Sequence, residues 1–149
     1  MKSRIICIGN RLLPKDAFGP AVFDDLLTRC LPAGIEIIEG GTAGLNLLPL
    51  LEARGRVVFV DTVSGFAEAG TLVLLDRETI TSSVADVHFG HDLGLAYVLA
   101  VLPRVCEKDM VDEVFLVGFE GEFNDHVVKK AAEMSMNIAV KGAAAEQCH

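Results

Sequence analysis

A chain of 149 residues, 51% of them hydrophobic and 23% charged, is long enough to bury a core without disulfide or metal staples and too apolar to be disordered. Its formal charge of -8, with 13 scattered lysines and arginines, offers no phosphate-tracking surface and argues against nucleic acid or an anionic membrane as partner. The apolar run Ile5–Ile8 is too short for a signal-peptide core or a membrane span, so the expectation is a cytoplasmic protein with one domain over residues 1–149.

Arg4–Ile8 is a short β-rich run suited to a central strand buried on both faces, and Gly9-Asn10 ends it. Pro14 delays the next helix. From Phe18 onward Val22, Phe23, Leu26, Leu27 and Cys30 follow helical spacing, with Asp24, Asp25 and Arg29 on the other side. Pro20 sits in the first turn, where its missing N–H has no partner to lose. Pro32-Ala33-Gly34 stops that helix, and Ile35–Ile38 forms a second strand.

The glycine-rich turn Glu39-Gly40-Gly41-Thr42-Ala43-Gly44 lacks both the Walker lysine and the GxGxxG spacing. It reads better as backbone that must turn sharply or let another chain approach closely. Leu45–Ala53 is a helix expectation, followed by the strongest strand pattern, Arg56–Val60, which runs into Asp61. Strand and helix alternate to this point, which favours a parallel sheet. Asp61 then reaches the same carboxyl edge as the loop after the first strand, where open α/β sheets place their chemistry.

Gly70–Leu75 is a further strand with no room before it for a crossover helix, so a hairpin-like return and an antiparallel edge strand are expected. Thr79–Gly90, with Asp86 and His88, reads as polar, irregular and flap-like. His91–Leu102 has the apolar face of a helix, with His91 at its first turn. Asp112–Phe119 is the last of five strands, and Asn124-Asp125 caps a final helix reaching about Ala145.

Cys7, Cys30, Cys106 and Cys148 form no CxxC pair, and their contexts suit reduced, mostly buried thiols. Cys7 lies in a strand pattern, away from the exposed, electropositive setting that a reactive thiolate needs. Ser64-Gly65 has no GxSxG around it. Glu120, Glu122 and Asp125 read as a solvated loop and cap, and His126 as a solvated helix start.

Three residues remain that one sheet edge would bring together: Asp16, Asp61 and His91. Two carboxylates and one imidazole with an open position suit a borderline divalent cation such as zinc or nickel. Each also has a plain structural reading, as a loop acid, a turn acid and a capping residue.

The chain resembles the hydrogenase maturation endopeptidases, which trim a carboxyl-terminal extension from the large subunit of nickel-iron hydrogenases once nickel has been inserted. The resemblance rests on Gly9-Asn10-x-Leu12-x-x-x-Asp16-x-x-Gly19, on Gly40-Gly41-Thr42-Ala43-Gly44 before a leucine-rich helix, and on the apolar strand ending in Asp61. His91-Asp92-Leu93-Gly94-Leu95 and Leu116-Val117-Gly118 follow in order. Cys7 and Lys15 depart from the pattern, and a lysine beside Asp16 weakens cation binding there.

The resemblance implies a three-layer α/β/α sandwich with a mostly parallel five-stranded sheet and one antiparallel edge strand. It also implies nickel supplied by the precursor and met by Asp16, Asp61 and His91, with zinc or cadmium as substitutes, and Asp16 or Asp61 as general base. The implied partner is the large-subunit precursor, and the charge pattern leaves a monomer as default. Rival readings are a non-proteolytic nickel-sensing chaperone, a small-molecule or nucleotide-binding α/β domain using Gly40–Gly44, and a metal hydrolase of unrelated peptides.

Overall fold

The computed structural model describes residues 2–41, 48–52, 54–64, 68–82, 88–89 and 111–142. Strands β1 (Ser3–Ile8), β2 (Ile35–Gly41), β3 (Arg56–Ser64), β4 (Leu72–Asp76) and β6 (Glu113–Phe119) form a sheet in the order β2-β1-β3-β6-β4. The first four in that order run parallel, and β4 pairs antiparallel with β6 at the edge. A two-residue strand, β5 (His88–Phe89), pairs antiparallel with Val63 and Ser64 at the end of β3. Helices α1 (Phe18–Leu27), α2 (Leu48–Leu51), α3 (Arg77–Ser82) and α4 (Asp125–Lys141) complete the described elements.

The middle stretches of the central strands, Ile5–Ile8, Val57–Val60 and Val114–Val117, are apolar without interruption because both faces are covered. Ile5 and Cys7 of β1, Val58 and Val60 of β3, and Phe115 and Val117 of β6 pack with Phe18, Val22 and Leu26 of α1 and with Val128, Ala131 and Ile138 of α4. The alternate residues Ile6, Ile8, Val57, Phe59, Val114 and Leu116 pack on the other face with Leu51 of α2 and Ile80 of α3. Each such side chain, removed fully from water, contributes about 1.5–3 kcal/mol.

Three local expectations change. The edge strand is antiparallel, but its neighbour is β6 and not β3, because β6 enters the sheet between them. Strand β3 continues past Val60 through Asp61 to Ser64, held by its pairing with β6 as far as Thr62 and then with β5. The expected irregular stretch from Thr79 starts instead inside α3, whose first turn is held by the Thr79 N–H donating to Asp76 Oδ1 at 2.8 Å.

The other boundaries shift by a few residues. Gly40 and Gly41 belong to β2, α1 stops at Leu27, and α4 runs to Lys141 from an Asn124 cap whose side chain accepts from the Val127 N–H at 2.9 Å. The expected helix over His91–Leu102 lies outside the described residues.

Candidate functional site

The carboxyl ends of β1 and β3 deliver the first two predicted site residues to one place. After β1 the chain turns at Asn10, whose side-chain oxygen accepts from the Leu12 N–H at 2.9 Å, an Asx turn. A short 3-10 turn, Pro14–Asp16, follows and brings Asp16 back over the strand end. There the Asn10 N–H donates to both the Asp16 carbonyl (2.9 Å) and its Oδ2 (3.0 Å).

Two glycines permit this return. A Cβ on Gly9 would lie 2.3 Å from the Asp16 carbonyl oxygen, and one on Gly19 would lie 2.0 Å from that of Ile8. Only glycine lets those backbones approach so closely. Phe18, stacked on Phe119 at 5.4 Å and edge-on to Phe123 at 5.7 Å, anchors the start of α1 against the end of β6.

Asp61 stands inside β3 opposite Gly118 of β6, 1% exposed, and its Oδ1 accepts from the Thr62 N–H at 2.8 Å. Burial pushes its carboxyl well above the usual range; the Thr62 N–H offsets part of that, and the charge of Asp16 adds to it. The two acids are thus close enough for one to feel the other. Asp16, 8% exposed, is also buried, whereas Lys15 beside it stands exposed.

His91 lies outside the described residues, as do Asp86, Cys106 and Cys148. Among the described residues, no three of His, Cys, Asp and Glu are grouped to hold a metal ion. Asp16 and Asp61 are thus the two of the three expected residues that fall among the described ones.

Arg11 is a residue for which the chain carries no local signal. Its Nη1 and Nη2 donate to Asp24 Oδ2 and Oδ1 at 2.7 and 2.8 Å, its Nε donates to Glu39 Oε2 at 2.7 Å, and its guanidinium lies 6.0 Å from the Phe23 ring centre. It therefore ties the loop carrying Asp16 to α1 and to β2 at once. The fork holds the Asp24 carboxyl below its ordinary value. Arg11 and Glu39 also line an open cavity of about 480 Å³, together with Gly9, Asn10, Leu12 and Gly41. Leu12 is 87% exposed at its rim.

The thiol alternative fares poorly in this setting. Cys7 is buried among apolar neighbours, and burial, with Glu39 and Asp24 adding to it, pushes its thiol far up. Cys30 is exposed, against the expectation of burial, because it lies past the end of α1.

Compared with known proteins, residues 20–145 match the family model described as hydrogenase maturation protease. The chain is 34% identical to the hydrogenase 2 maturation protease of Escherichia coli over 68% of its own length and 63% of that protein. It is 31% identical to the hydrogenase expression/formation protein HupD of Rhodobacter capsulatus over 64% of its length and 47% of that protein. The matched stretch thus spans less than two thirds of either relative. Among solved structures it superposes on the hydrogenase maturating endopeptidase HybD of E. coli with a TM-score of 0.77 and 28% identity, covering 99% of this chain and 94% of that one. The [NiFe] hydrogenase maturation protease HybD from Thermococcus kodakarensis gives a TM-score of 0.71 at 25% identity, over 93% and 99% of the two chains.

Proposed function

Because the chain belongs to the hydrogenase maturation protease family, we propose that it is an endopeptidase that removes a carboxyl-terminal extension from the nickel-loaded large-subunit precursor of a nickel-iron hydrogenase. The observation that carries this reading is the burial of two acids toward the carboxyl side of the sheet, Asp16 in the turn after β1 and Asp61 within β3, near enough for the charge of Asp16 to act on Asp61. Fold positions of this kind hold ligands and chemistry in open α/β sheets.

In this reading nickel is part of the substrate. The precursor presents it, and Asp16, Asp61 and His91 meet it as further ligands, a donor set that also accepts zinc or cadmium. Recognition is gated because the acids gain a partner only when the metal is present, and a ligand shifts an equilibrium only by its differential affinity. The scissile peptide is then held beside a carboxylate that takes a proton from the attacking water. Asp16, fixed by the Asn10 N–H, and Asp61, fixed by the Thr62 N–H, are the two bases available for that step. We place the reaction in the cytoplasm, with the protein acting as a monomer.

The test is the intact mass of a nickel-loaded precursor before and after incubation, with nickel-free precursor alongside. Loss of a carboxyl-terminal peptide from the loaded sample alone is the expected result. Unchanged mass with retained, nickel-dependent co-purification would replace the protease by a nickel-sensing chaperone.

A further inference from the structure

Strand β2 is an edge of the sheet: among the described residues it pairs with β1 alone. The Ser3 N–H donates to the Gly34 carbonyl at 2.9 Å, so Gly34 faces β1. In a parallel pair, the N–H and C=O of one residue point the same way and successive residues alternate. Glu36 and Ile38 therefore turn their backbone groups toward β1, and Ile35, Ile37 and Glu39 turn theirs outward. The burial agrees, since β1 is buried at every residue whereas β2 is half-buried or exposed throughout.

The far end of that edge leads into the candidate site. The β1–β2 register slips between Cys7 and Ile8, a bulge that swings Gly41 over to accept from the Gly9 N–H at 2.8 Å. Bulges recur where a strand end is re-aimed beside an active site. Gly41 and Glu39 line the 480 Å³ cavity together with Asn10, the residue whose N–H holds Asp16. The cavity thus runs between the loop that carries Asp16, through Asn10, Arg11 and Leu12, and the end of β2 at Glu39 and Gly41.

We infer that the extension of the precursor binds as an added strand on the outer edge of β2, antiparallel to it. This rests on the endopeptidase reading, which places the scissile bond at the carboxyl edge of the sheet and the extension beyond it. A chain leaving Asp16 through the cavity meets Glu39 first and then Ile37 and Ile35, against the direction of β2. Seven residues of β2 offer roughly 23 Å of edge at about 3.3 Å per residue. Backbone pairing supplies affinity with little demand on sequence, and alternate side chains supply selectivity. The exposed Glu36 favours a basic side chain toward the distal part of the extension and repels an acidic one.

The experiment is a proline scan. Nickel-loaded precursors carrying one proline at each successive position of the extension are processed by the unaltered protein. A proline whose missing N–H faces β2 removes a ladder bond, whereas one facing away is tolerated, as on natural edge strands. The expected result is a rate that falls about tenfold at every second position. In parallel, amide exchange is followed in the unaltered protein held with an excess of the unsubstituted loaded precursor, where the Ile35, Ile37 and Glu39 amides gain protection. Normal cutting without a two-residue period, and without protection on β2, overturns the added strand and leaves the endopeptidase reading standing. No cutting of the unsubstituted loaded precursor removes both.

Discussion

The two edges of the sheet bury charges to the same depth and treat them in opposite ways. At the amino edge, Arg4 and Arg56 are 7% and 9% exposed, and each reaches carbonyls of the covering helices. Arg4 donates to the carbonyls of Leu50 and Arg54, and Arg56 to that of Ala139 at 2.8 Å and to Glu113 at 2.9 Å. At the carboxyl edge, Asp16 and Asp61 are 8% and 1% exposed, and the charge of one disfavours ionisation of the other. Buried charges matched within the fold serve stability, while buried acids whose ionisation is disfavoured by burial and by a like charge gather at functional sites. The amino edge is thus fastening, and the carboxyl edge is where we propose the site.

A change at Asp61 bears on that contrast most strongly. Asp61→Asn keeps the shape and removes the charge, and processing of loaded precursor should fall about a thousandfold, the range for a lost general base or ligand. The folded protein should not suffer, and its pH dependence states why. The Asp61 carboxyl is raised chiefly by burial. A raised acid adds stability below its unfolded pKa, near 4, and loses that contribution as pH climbs through the folded pKa.

In the asparagine variant that loss is absent, so its unfolding free energy relative to the parent should grow as pH rises from about 4. Asp24, held low by Arg11, and Asp76, held low by the Thr79 N–H, act with the opposite sign. They act equally in both proteins and cancel in the difference. Urea unfolding of the two proteins across pH reads this out, and a difference that shrinks with rising pH would return Asp61 to a structural role.

Next in size is the fastening edge. Arg56→Met leaves Glu113 without its donor and the Ala139 carbonyl with that of Ser3 alone, and should cost about 2–3 kcal/mol in urea unfolding, the loss expected when one partner of a largely buried network is removed. Processing per folded molecule should be unchanged. A loss of turnover without a loss of stability would erase the distinction between the edges.

This contrast was only half legible from the chain. Asp16 and Asp61 stood out because each follows an apolar run that ends in a turn or a strand terminus, a signal carried by adjacent residues. The Asn124 cap and the strands around Ile5, Val58 and Leu116 were readable for the same reason, since period and cap chemistry are local. The amino edge was silent. Nothing near Arg56 in the chain announces that the carbonyl of Ala139, 83 residues away, will accept from it.

The same holds for Arg11, whose two carboxylates lie 13 and 28 residues downstream. The place of β4 was misread for a related reason: a short connection favours the nearest strand, and only the later arrival of β6 displaces it. Contacts closed over long loops are set by the whole core and leave no mark in a window of ten residues.

The smallest prediction uses one helix to test both edges. Helix α4 begins at the carboxyl edge under the Asn124 cap and ends at the amino edge, where Ser3 Oγ (2.6 Å) and Arg56 both donate to the Ala139 carbonyl. Asn124→Ala removes a single acceptor from the first turn and should cost about 1 kcal/mol. It should leave processing untouched, because the side chain serves the Val127 N–H and neither acid. The 17 residues of α4 separate its ends by roughly 25 Å. The two losses should therefore add within about 0.5 kcal/mol in an Arg56→Met, Asn124→Ala double variant. A larger coupling in that cycle would mean that α4 transmits strain from one edge to the other, and the site could no longer be treated as separate from the fastening below it.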